Sequence, residues 1–144
     1  MTSRFRTKED LIRYLRREIK NLERKIERDL RESVRMASKG KYDLTDWSID
    51  TMGTISDFWL FITIDGNETN IGFSQPGRED YEAMAEALDF PKEWLNDDRV
   101  ADHLWLYLAY DRILAYSDAI YEDINQFIRW FERVSEKKKS EVIG

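Results

Sequence analysis

The sequence predicts an α+β fold: a long N-terminal helix, a three-stranded antiparallel β-meander, and a C-terminal helical pair that includes one long helix. Two observations carry this. Glycine and proline are absent from residues 1–39, then Gly40, Gly53, Gly66, Gly72, Pro76 and Gly77 cluster, and after Pro91 neither recurs until Gly144. Both residue types punctuate regular structure, so the pattern reads helix, then strands and turns, then helices. The apolar period changes at the same points, from spacings of three and four to strict alternation and back. Residues 1–144 read as a single domain, with a basic amphipathic helix in 1–39, the sheet in 40–77, helical chain in 78–139 and a tail in 140–144.

The first helix is expected from about Thr7 to Ser38. Thr7 is a suitable N-cap, Glu9 and Asp10 stand in the first turn where the helix dipole favours carboxylates, and Gly40 supplies the stop. Its apolar seam is Ile12, Leu15, Ile19, Leu22 and Ile26, continued after a shift of four by Leu30 and Val34. That is a coiled-coil-like stripe with a stutter. In the middle, Tyr42–Ile49 reads as a weak strand and Phe58–Asp65 as a strong one. Phe58, Leu60, Ile62 and Ile64 share one face while Trp59, Phe61 and Thr63 share the other, so this strand is expected to be central and covered on both sides. Asp65-Gly66-Asn67 is a turn signal leading into a third strand through Ile71 and Phe73.

Helical pattern resumes near Glu79, pauses at Pro91, and is expected to run unbroken from about Asp97 to Lys138. Leu106, Ile113, Ile120, Phe127 and Val134 recur every seven residues, with Tyr110, Ser117, Ile124 and Phe131 interleaved. Trp105, Tyr116, Ile128 and Trp130 widen that stripe, so the helix is expected to be buried on most sides. A helix over 7–38 spans about 48 Å at about 1.5 Å per residue. A compact chain of this size is only roughly 37 Å across. The overlong helices therefore point to a homodimer, with Ile12, Leu15, Ile19, Leu22 and Ile26 as its interface.

Composition removes several classes of function. There is no cysteine and a single histidine, His103, which excludes disulfides, thiolate metal sites, cysteine nucleophiles and His-rich metal sites. No cofactor is expected. Apolar residues make up 42% and charged residues 36%, which suits a packed core beneath a heavily charged surface. The longest apolar run, Phe58–Ile62, is far short of a membrane span. Charge throughout residues 1–20 argues against a secretory leader, so the expectation is a cytoplasmic protein without a membrane partner.

The net charge of −6 conceals a separation. Residues 1–40 carry 13 basic and 7 acidic side chains, whereas residues 42–127 carry 4 basic and 19 acidic. Arg13, Arg17, Lys20, Arg24, Arg28, Arg31 and Arg35 follow helical spacing and centre about 160° from the apolar seam, with Glu23, Glu27 and Glu32 to the sides. If the seam packs inward, these cations form an outward ridge of roughly 33 Å. The guanidinium fork suits phosphate oxygens. The expectation is a non-enzymatic protein that engages DNA or RNA backbone through this ridge without sequence preference, because no nucleic-acid motif such as a helix-turn-helix or zinc finger is present. A solvated, glutamate-flanked surface explains the same residues. The alternative function is an acidic inhibitor or adaptor that imitates phosphate spacing and binds a basic protein partner through Asp111, Asp118 and Glu122 on one polar helix face. A small hydrolase or ligand-binding domain stands third.

Catalytic patterns fail on particular residues. Gly72-Phe73-Ser74-Gln75-Pro76-Gly77 approaches a nucleophile elbow, but proline stands where that motif needs glycine, and the sheet reads as antiparallel. Asp65, Asn67, Glu68 and Asn70 resemble the start of a calcium loop, but Pro76 occupies the position of the bidentate glutamate. Asn67-Glu68-Thr69 fits the glycosylation pattern by accident. No lysine lies between Lys41 and Lys92, so the strands lack the lysine of carboxylate-pair nucleases. His103 beside Leu104 and Trp105 reads as structural. The aromatic set Trp105, Tyr107, Tyr110, Tyr116 and Tyr121 reads as core or interface, not pocket lining.

Overall fold

A computed structural model describes the backbone of residues 4–143 and the side chains of residues 4–137. Its elements are α1 (Lys8–Ser38), β1 (Leu44–Asp50), β2 (Asp57–Ile64), β3 (Asn67–Ser74), α2 (Arg78–Ala87), a 3₁₀ turn (Lys92–Asn96), α3 (Asp98–Ala115) and α4 (Ser117–Ile143). The fold is α+β, as the punctuation predicts. The chain packs as two compact units, each assembled from separate segments: the chain up to Ile26 with Ser74–Ala115, and Glu27–Phe73 with the chain from Tyr116 onward. Each half of α1 thus contributes its seam to a different core.

In the first unit, Thr7 caps α1 by accepting the Asp10 amide at 3.1 Å. Leu11, Leu15, Val100, Leu104 and Ala109 are fully buried, joined by Ile12, Ile19, Leu22, Ile26 and Ile113. Asp80 accepts the Gly77 amide at 2.7 Å and opens α2. Asp97 opens α3 by accepting the Arg99 amide at 2.9 Å. The Trp105 indole donates to Gln75 at 3.0 Å, and Arg112 donates to the Ser74 carbonyl.

The second unit holds the sheet, in the order β1-β2-β3, with β1 and β2 antiparallel. On β2 the buried face is Phe58, Leu60, Ile62 and Ile64, all at zero exposure, and α4 supplies Ile120, Ile124, Ile128 and Phe131 to the same core. Phe58 and Phe73 stack at 5.3 Å. β2 is central, but its other face is only half-buried, so the expectation of cover on both sides is corrected. Trp59 lies over Gly72 there, so closely that a Cβ on Gly72 would stand 2.7 Å from the ring. Between β2 and β3, Asp65 and Gly66 have φ of 50° and 83°, the left-handed pair that a type I′ hairpin needs. That turn, not a calcium loop, accounts for the polar residues around it.

α1 ends at Ser38 as expected: Lys39 adopts φ 55° and the Gly40 amide donates to the Arg35 carbonyl at 2.8 Å, a Schellman closure. Two details differ from the sequence reading. The helix expected over 97–138 is broken at Tyr116, whose carbonyl accepts the Ile120 amide at 2.9 Å as α4 begins. The apolar stripe is also narrower than expected, because Tyr116 and Trp130 are 53% and 54% exposed.

Candidate nucleic-acid interface

The burial of the α1 seam decides which way the ridge faces. Ile12, Leu15, Ile19, Leu22 and Ile26 retain 0–9% exposure within one chain. They are core residues of the protomer and have almost no surface left to bury against a second copy. The opposite side of the helix carries Arg13, Arg17, Lys20, Arg24, Arg28, Arg31 and Arg35, all exposed. The ridge is therefore outward, as the helical projection requires.

Its two ends are partly neutralised. Arg13 pairs with Asp10 at 3.4 Å and Arg31 with Glu27 at 3.6 Å, both within α1. Arg35 reaches Asp43 at 3.5 Å, and Arg31 also donates to the Leu44 carbonyl at 3.4 Å. Such exposed pairs contribute at most about 1 kcal/mol each and exchange readily for another anion. The middle differs: Arg17, Lys20, Arg24 and Arg28 have no ion pair or side-chain hydrogen bond among the described residues. These cations, one helical turn apart on a capped, core-anchored helix, have no carboxylate to displace among the described residues.

Arg16 lies off the ridge and is engaged. Its Nε donates to His103 Nε2 at 3.2 Å, while His103 Nδ1 lies 2.6 Å from the Arg99 carbonyl. Nε2 therefore accepts from α1, joining it to α3, while the Nδ1 contact lies within α3. Nearby, Asp97 accepts the Arg99 guanidinium at 3.1 Å and Lys8 at 3.5 Å, and Arg99 also reaches Glu9 at 3.3 Å. Hydrogen bonds from the Arg99 side chain and backbone hold the Asp97 carboxyl down at about 2. Glu9 is lowered too, first by its own backbone amide and then by Arg99. This cluster fastens the starts of α1 and α3.

The acidic candidates do not share one helix. Asp111 is exposed on α3, whereas Asp118 and Glu122 are exposed on α4, because the break at Tyr116 separates them. Among the described residues, no three His, Cys, Asp or Glu side chains gather as metal ligands would. No helix among them is long and apolar enough to cross a membrane. Of the aromatic set, Tyr110 is buried and Trp105, Tyr107 and Tyr121 are half-buried, while Tyr116 packs against Phe73 at 5.9 Å.

Sequence reading missed an open groove of about 990 Å³ on the second unit, between α4 and Thr69 and Asn70 of β3. Its lining includes Trp130, which the sequence reading places on the buried stripe. The available signal was the alternation of Arg129, Trp130 and Arg133, cations around an aromatic.

No protein-family model, curated protein or solved structure matches the chain.

Proposed function

We propose that the protein is a non-enzymatic binding protein whose α1 ridge engages the sugar-phosphate backbone of nucleic acid. The observation that supports this is the run Arg17, Lys20, Arg24 and Arg28, exposed and without partners among the described residues on a helix whose far side is locked into the core. Cations already paired must break those pairs to bind phosphate; these need not. Three of the four are arginines, whose planar donors can each grip two phosphate oxygens. A single row of cations has no means of reading base edges, so binding is sequence-independent and driven by counterion release. Because the Ile12–Ile26 seam is already buried within one chain, the ridge needs no second copy to be presented. The acidic body would keep the rest of the surface away from the polyanion and so orient it on α1.

The test is the triple charge reversal Arg17→Glu, Arg24→Glu and Arg28→Glu, assayed by fluorescence anisotropy on labelled duplex DNA and RNA. All three positions are exposed, so the far-UV circular dichroism spectrum is expected to be unchanged while binding is lost. Retained affinity would contradict the reading. The competing function, capture of a basic protein by the acidic body, draws on the excess of 19 acids over 4 bases in residues 42–127. It predicts release of such a partner when Asp111, Asp118 and Glu122 become lysine.

A further inference from the structure

We propose a second nucleic-acid contact at Trp130 on α4, which stacks one unpaired base of a single strand and holds its adjoining phosphate. The ligand class rests on the reading above, but the observations are separate. Trp130 is 54% exposed, an arrangement that keeps a large apolar ring in water. The ring is nevertheless fixed in place. It stacks on Phe127 at 6.0 Å and 21°, Phe127 meets Phe131 edge-on at 5.3 Å, and Phe131 packs against Tyr42 at 5.1 Å. Phe131 is itself buried, so a relay of rings carries the rigidity of the core out to an aromatic surface. A platform ordered before binding loses little entropy when a base stacks on it.

The neighbours of that platform suit a nucleotide. Arg133 follows Trp130 by one helical turn and Arg129 precedes it; both are exposed, and neither is in an ion pair among the described residues. They can reach a phosphate on either side of a stacked base. Gln126 on the same face of α4 and Asn70 on β3 line the groove with amides able to bond a base edge. The acids set the size of the ligand. Glu132 is taken by Lys41 at 3.2 Å, but Asp123 and Glu136 at the groove wall have no ion pair among the described residues and would repel a long polyanion. A single base with its phosphate fits between them, and a duplex, whose bases are already stacked, has nothing to offer Trp130.

The experiment compares a short labelled single strand with the same sequence as a duplex, using the full chain and the variants Trp130→Ala, Trp130→Phe and Arg133→Ala. Trp130→Ala is expected to weaken single-strand binding about tenfold while changing duplex binding less than about twofold, and Trp130→Phe to keep most of the affinity. Arg133→Ala is expected to weaken single-strand binding and flatten its salt dependence. The inference is overturned if the wild-type chain binds no single strand, if Trp130→Ala leaves single-strand binding unchanged, or if it weakens both forms equally. An unchanged affinity would assign the groove to a protein segment instead. Failure of the ridge reads out separately, as duplex binding that survives the triple charge reversal on α1.

Discussion

Asp97 accepts one backbone amide and two cationic side chains, and that number of donors explains why its carboxyl sits at about 2 instead of its ordinary 3.8. A carboxyl whose value is depressed by folding stabilises the fold above its unfolded value, and this contribution is lost as the pH falls from about 4 through about 2. Glu9, lowered by its own amide and by Arg99, adds in the same direction. Thermal melts across that range are therefore expected to show a steeper loss of stability for the wild type than for Asp97→Asn, which keeps the cap but not the charge. Parallel curves for the two proteins would contradict this. Residues of this kind are legible in sequence only in part. Asp97 before a helical run signals a cap, but the convergence of Lys8 and Arg99 on it depends on a fold that brings distant segments together.

At the scale of elements, α1 shows what periodicity conveys. The seam, the Thr7 cap and the stop near Gly40 were all legible, because each depends on residues a few positions apart. What covers the seam is not legible in sequence, since each half of α1 packs in a unit completed by segments far along the chain. In the structure Leu15 is fully buried in one chain. Leu15→Ala is accordingly expected to lower stability by about 2–5 kcal/mol. The denaturation midpoint of the wild type should not move when the protein concentration is raised tenfold; a concentration-dependent midpoint would restore the dimer. The break at Tyr116 escaped notice for a different reason. No glycine or proline marks it, and the seven-residue repeat passes through it unbroken, so Ile113 and Ile120 keep their places in separate helices. Only the Ser117-Asp118 pair, favourable in a first turn, hinted at a new start. Trp130, which helical projection places beside that repeat as part of a widened stripe, keeps its ring at the surface.

For the whole molecule, the separation of charge is a property of sequence alone and needed no fold to be seen. The structure adds which of the cations are engaged: those at the ends of the ridge have carboxylate partners, and those in its middle have none among the described residues. The central claim is that this middle contacts phosphates, and counterion release gives it a quantitative signature. The direct measurement is duplex affinity by fluorescence anisotropy over a series of salt concentrations. Contact through Arg17, Lys20, Arg24 and Arg28 predicts a log–log slope of about −4, at roughly −0.9 per phosphate neutralised. Absence of binding at low salt, or binding whose affinity does not change with salt, would contradict the account and leave α1 as a solvated surface.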